Sequence, residues 1–243
     1  DAGRELIEVA CGAKRDPALA RLRGQVMDGE RIPFTHVRSA RDGIAEVFYT
    51  LAGALSGENN DDLTLIYARL AVHLRPGHVD ALILAAELLD GMGRHELAAE
   101  TYAMVPRDDD SYHAAELGRA EALRQQGDVE GAIAALRSLT ETHGALPVVH
   151  STLGDTLRQQ ERFAEATDAY TAALDRVEDE TQRQWFVYFA RGITYERRGM
   201  WPEAEADFRR ALELNSGQPQ VLNYLGYSLV EKRRNLDEAL SMI

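Results

Sequence analysis

A single cysteine, Cys11, excludes any disulfide within the 243-residue chain. The lack of disulfides leaves the redox compartment open, because proteins of many compartments manage without them. Nothing around Cys11 resembles a thiol-activating setting, so it reads as a small buried apolar residue. Aromatic residues are scarce at 7%, while Ala and Leu abound, a balance that favours helix over sheet. No apolar run approaches the roughly 20 residues needed to cross a bilayer, so this segment is not expected to insert directly into a membrane. Basic residues are outnumbered, 27 against 40 acids, for a formal net charge of −13. Such a chain repels phosphate backbones, and no basic cluster interleaved with aromatics offsets that, so nucleic acid is not an expected partner. Acidity of this order supports solubility and attracts basic partners.

Catalytic patterns are missing as well. The sequence contains no GxxxxGK[ST] phosphate loop, no GxGxxG, no HExxH, no GxSxG and no CxxC. The expectation is a chain that is not an enzyme, with no catalytic residues, no metal site and no cofactor. The seven histidines, His36, His73, His78, His95, His113, His143 and His150, scatter over turns and helix ends and read as surface or helix-end residues. His73 and His78 straddle Pro76 and do not share a helical face, as metal ligands would. The acidic run Asp108-Asp109-Asp110 reads as a solvated turn that caps a helix from Ser111.

What the sequence does contain is a repeat. Glycines at 93, 127 and 199 follow long helical stretches, and a register set on them starts units at Ala45, Val79, His113, Pro147, Trp185 and Pro219. The steps are 34, 34, 34, 38 and 34 residues, the longer one carrying the polar insertion Thr181-Gln182-Arg183-Gln184. Position 8 reads Ala52, Ala86, Ala120, Gly154, Gly192 and Gly226; position 20 reads Thr64, Ala98, Ala132, Ala166, Ala204 and, past one inserted residue, Ala239. Small residues on a fixed clock mark places where two helices press together. Large apolar residues keep the same time: Leu55, Leu89, Leu123, Leu157, Tyr195 and Leu229 at position 11; Ala68, Tyr102, Leu136, Tyr170, Phe208 and Ile243 at position 24. Their three-and-four spacing is helical, and the ladder reads as core. Pro147, Pro219 and Pro202 sit where helices begin, and Asp128 and Asn235 stand ready as caps.

A 34-residue helix-turn-helix unit with small residues at 8 and 20, an aromatic at 24 and Ala near 27 resembles the tetratricopeptide repeat. The clearest copies are Tyr188, Gly192, Tyr195, Ala204, Phe208, Ala211 and Leu153, Gly154, Ala166, Tyr170, Ala173. The resemblance implies an all-α fold, a right-handed superhelical solenoid of such hairpins, over units 45–78, 79–112, 113–146, 147–180, 185–218 and a partial unit 219–243. Glu116, Arg119 and Arg191 depart from it, standing where apolar residues are usual, and suggest helices that are tilted or partly exposed. The stretch from Asn223 to Leu240 is similar to the later repeats of long bacterial, often exported, proteins of this family. On that likeness alone an envelope or periplasmic location is favoured over a cytoplasmic one.

Residues 1–44 do not follow the register. They read as an atypical helical hairpin, Arg4–Ala13 and Ala18–Met27, then a connector, with Ser39 capping the next helix. The chain opens Asp1-Ala2-Gly3 without Met and stops at Ile243 a few residues into a helix, so a processed piece of a longer protein is expected. Leu236, Ala239, Leu240 and Ile243 would form an apolar open edge, through which self-association is possible.

The resemblance also implies a concave face lined by positions 2, 5, 9 and 12 of the first helices. These give Tyr49, Ile83, Glu87, Leu117, Glu121 and Arg124, then Asp155, Arg158, Phe186, Phe189 and Ile193, then Asn223 and Tyr227 as partner-binding candidates, with Asp80, Asp90, Ser151, Glu196 and Val230 beside them. The early part is acidic and the late part aromatic, which would suit a protein or peptide partner with basic and apolar anchors. Phe186 and Phe189 could instead pack on a neighbouring helix or on the insertion; a large stability loss in Phe189→Ala would show the packing role. Position 5 (Tyr49, Ile83, Leu117, Ser151, Phe189, Asn223) lacks the Lys and Asn pattern with which some members clamp C-terminal carboxylates. The expected function is a scaffold or adaptor for a protein or peptide, the alternative a non-catalytic segment of a larger enzyme or envelope assembly machine.

Overall fold

The computed structural model describes residues 24–25, 27–29, 37–57 and 60–242. Cys11, Ile243, the expected helix Arg4–Ala13 and most of Ala18–Met27 lie outside them. The described residues form twelve α-helices and no strand: α1 Ala40–Leu55, α2 Asp61–Leu74, α3 Val79–Gly91, α4 His95–Tyr102, α5 Tyr112–Gln125, α6 Val129–His143, α7 Pro147–Gln159, α8 Phe163–Leu174, α9 Trp185–Arg197, α10 Trp201–Leu214, α11 Pro219–Glu231 and α12 Leu236–Met242. The chain divides into two compact units, with the boundary inside α5 between Ala122 and Leu123.

In the first unit α1 pairs with α2 and α3 with α4, and α2 also packs on α3. Ser39 begins the array by accepting the Asp42 N–H on its hydroxyl at 3.1 Å. Leu82, Ala86, Tyr102, Val105 and Ala115 form one buried cluster. In the second unit α7 pairs with α8, α9 with α10 and α11 with α12, each pair stacking on the next, and α6 packs on α7. One of its buried clusters gathers Trp201, Ala204, Phe208, Ala211, Val221, Leu225, Leu229 and Ala239. Position-20 residues Thr64, Ala98, Ala132, Ala166, Ala204 and Ala239 are all fully buried.

Two of the position-8 glycines, Gly154 and Gly192, have a more specific task than thin contact between helix backbones. A Cβ on Gly154 would lie 2.7 Å from the Tyr170 ring, and one on Gly192 would lie 2.6 Å from the Phe208 ring. The missing side chain makes room for the position-24 aromatic of the same hairpin.

Five of the hairpin turns share one closure. In three of them a glycine sits in the left-handed region, Gly93, Gly127 and Gly199 at φ 73°, 94° and 74°. The next N–H reaches back to a carbonyl five residues earlier: Arg94 to Leu89 at 2.8 Å, Asp128 to Leu123 at 2.9 Å and Met200 to Tyr195 at 2.9 Å. Two further turns make the same bond without glycine, placing Glu161 at φ 58° and Arg233 at φ 54°. Asp128 then caps α6 by accepting from the Gly131 N–H at 3.0 Å, and Asp109 accepts from the Ser111 N–H at 2.8 Å ahead of α5. The insertion at 181–184 is a 3-10 turn closed by Thr181 and Gln184, leading directly into α9.

The charged departures from the repeat are paired, and they do not leave their helices exposed. Glu116 is only 6% exposed and binds Arg119 through two hydrogen bonds of 2.8 and 2.7 Å. Arg191 holds Asp207 in a two-pronged contact across α9 and α10 and also reaches Thr171. Two of the histidines are buried: His78, which stands at a helix end and caps α3 by accepting from the Ala81 N–H, and His150, whose Nε2 bonds the Gly144 carbonyl oxygen at 2.9 Å.

Candidate functional site

In a helical hairpin stack the second helices and the facing sides of the first helices fill the core. The remaining face of the first helices is free to carry polar and aromatic side chains. In the first unit that face belongs to α1, α3 and α5. Tyr49 on α1 is half-buried against the His78 ring, with centroids 4.8 Å apart. Burial pushes its phenol above the ordinary value, and the carboxylates of Asp80, Glu46 and Glu87 push it further in the same direction. Tyr102 is raised to about 12, first by burial and then by Glu87 and Asp90. Glu87 and Glu121 are exposed, Leu117 is half-buried, and Ile83 packs against the Leu82 and Tyr102 cluster.

In the second unit the face belongs to α7, α9 and α11, and Arg124 is half-buried at its edge. Asp155 and Arg158 are turned inward to a single hydroxyl. Tyr170 Oη donates to Asp155 at 2.7 Å and accepts from Arg158 Nε at 3.1 Å. Burial raises the Tyr170 phenol well above its ordinary range. These two side chains are therefore largely engaged in holding the hairpin.

The aromatic candidates separate. Phe186 is 41% exposed and meets Trp185 edge to face, with centroids 5.7 Å apart. Phe189 is half-buried and touches three rings, Trp185, Phe208 and Tyr224, at centroid distances of 6.3, 5.9 and 5.7 Å. Ile193 packs against the same cluster. Phe189 and Ile193 thus serve the core more than the surface, whereas Phe186 and Tyr227, the latter 61% exposed, stand out from it.

Four residues at the expected lining positions meet in one cleft of about 630 Å³ between α9 and α11. They are Glu196 from α9 and Gln220, Asn223 and Tyr227 from α11. Arg197, Tyr224, Ser228 and Glu231 complete the wall. Tyr224 Oη donates to Glu196 Oε2 at 3.4 Å, and its phenol is raised, first by burial and then by the Glu196 charge. Arg197 lies 3.9 Å from Glu196, a loose approach with its side chain 61% exposed. Gln220 satisfies the position-2 rule and was readable from the repeat. Arg197, Tyr224, Ser228 and Glu231 were not, because each stands one residue beyond a lining position, where a helix of 3.6 residues per turn still contributes to the wall.

A smaller cleft of about 400 Å³ opens in the first unit on the second-helix side, walled by Arg69, Val72, His73, Thr101 and Met104. It lies where α4, only eight residues long, ends early. Among the described residues no cluster of three or more His, Cys, Asp or Glu is placed to hold a metal ion, and no helix is long and apolar enough to cross a membrane.

Comparison with known proteins follows the same lines. The tetratricopeptide repeat family matches residues 83–147 and 145–216. No curated protein matches the chain. Among solved structures, PilF of Pseudomonas aeruginosa superposes with a TM-score of 0.65 at 18% identity, covering 84% of this chain and 90% of that one. MamA of Desulfovibrio magneticus RS-1 gives 0.61 at 15% identity, with 75% and 99% covered. YrrB, a repeat protein of the same class with an unusual peptide-binding site, gives 0.57 at 14% identity, with 76% and 97% covered. At these identities the likeness is one of fold.

Proposed function

We propose that this chain, which belongs to the tetratricopeptide-repeat family, is a scaffold that binds a protein or peptide partner on the first-helix face of its hairpins. The observation that carries the reading is the cleft between α9 and α11. Residues at four lining positions converge there, and the most exposed aromatic among the expected binding residues, Tyr227, stands at its wall. Large exposed aromatics beside unspent polar groups are what interfaces use as anchors. YrrB, with its peptide-binding site on the same fold, supports the reading by analogy. The reading assigns no catalytic step to this chain.

Selection of a random peptide library on the wild-type chain tests it. Peptides selected in this way are expected to lose binding to a Tyr227→Ala, Asn223→Ala double variant whose melting temperature is unchanged. Equal binding by that variant would count against the cleft.

A further inference from the structure

We infer that the α9–α11 cleft recognises an arginine side chain of the partner, an inference that rests on the peptide-binding reading above. The lining decides the chemistry. It offers no Leu, Ile, Val, Met or Phe, so an aliphatic anchor has no floor to sit on. Its aromatic lining is Tyr224, which also packs on Phe189 and Phe208, and Tyr227, which is 61% exposed; an exposed ring of this kind accepts the stem of a long side chain and the plane of a guanidinium.

Charge points the same way. Glu196 and Glu231 line the cleft against one guanidinium, Arg197, which stands mostly in solvent. An acidic anchor would face two carboxylates. Asn223 and Gln220 supply side-chain carbonyls that accept from N–H donors, and a guanidinium has five such donors in a fixed fork, where an ammonium has three. Arginine thus satisfies rings, carboxylates and amides together. In the first unit Asp80 and Glu87 act on the Tyr49 phenol together with Glu46, which is itself paired to Arg75 at 2.8 Å. The chain's net charge of −13 would draw a basic segment toward either face.

Arg197 makes the inference testable in both directions. As the one cation of the cleft it competes with an incoming arginine, so its removal strengthens binding while removal of either carboxylate weakens it. A merely structural role for these surface residues would not produce opposite signs.

The test uses the full 243-residue chain and blocked short peptides of one backbone sequence carrying Arg, Lys, citrulline, Leu or Glu at a single central position. Binding is read by backbone amide chemical shifts and titration. The Arg peptide is expected to shift amides at the end of α9 and along α11. It should bind on the order of fivefold more tightly than its uncharged citrulline counterpart and weaken as salt rises. Glu196→Gln and Glu231→Gln should each lower its affinity, and Arg197→Gln should raise it. Equal binding of the citrulline peptide, preference for Leu or Glu, or shifts confined to other helices would overturn the inference and leave peptide binding standing. Failure of every peptide to bind would count against both.

Discussion

Gly192 and Phe208 fit each other as space and filler: a methyl group on the glycine would come within 2.6 Å of the ring. Phe208 is itself fully buried. Replacing glycine by alanine inside a helix normally gains about 1 kcal/mol of helix propensity. Here the ring must move, and overpacking of this kind costs about 1–3 kcal/mol. Gly192→Ala is therefore expected to lower stability in urea denaturation. Gly53→Ala, in the interior of α1 with nothing within 4 Å of the new methyl, should raise it by about 0.5–1 kcal/mol.

The Arg191–Asp207 pair replaces the apolar contact usual at that position. Its two contacts, 2.8 and 2.9 Å, are nearly withdrawn from solvent, and Arg191 also lies over the Tyr188 and Tyr195 rings at 5.5 and 5.6 Å. Removing one member strands the other. Asp207→Leu should cost about 3 kcal/mol, whereas the double variant Arg191→Met, Asp207→Leu should recover much of the loss. Equal losses in the single and double variants would show that the pair does not act as a unit.

Glu161 occupies the turn position that Gly93, Gly127 and Gly199 hold in other hairpins, at φ 58°. The left-handed conformation costs an ordinary residue about 1–2 kcal/mol, offset in part by the greater freedom that glycine loses on folding. Glu161→Gly is expected to raise stability by about 0.5–1 kcal/mol, read as a higher thermal midpoint. A fall would mean that the glutamate side chain contributes something the turn geometry does not show.

That turn also illustrates what a reading of residues can reach. Glycine marks a left-handed turn, so 93, 127 and 199 set the register, but Glu161 and Arg233 adopt the same backbone without any sign in their chemistry. Small residues at positions 8 and 20 announce close packing. Their individual tasks appear only when Tyr170 and Phe208 are seen filling the space beside Gly154 and Gly192. Charged residues at apolar positions misled for a related reason. Arg191 looks solvent-seeking by itself, and its partner Asp207 lies 16 residues away on another helix. The lining positions led to Glu196, Asn223 and Tyr227 in the cleft. They also drew in Phe189, which the rings of Trp185, Phe208 and Tyr224 claim for the core.

Phe189 and Tyr227 consequently separate stability from recognition. Phe189→Ala removes a ring from a four-ring contact and should cost about 3 kcal/mol or more. Tyr227→Ala, at 61% exposure, should leave the unfolding midpoint within about 0.5 kcal/mol of wild type.

The central claim, that partners bind on the first-helix face, is tested most directly by amide hydrogen exchange of the chain with and without a peptide selected on it. The account predicts added protection along α9 and α11 in wild type and none in Tyr227→Ala, Asn223→Ala. Protection confined to the second helices α10 and α12, unchanged by that double variant, would contradict it.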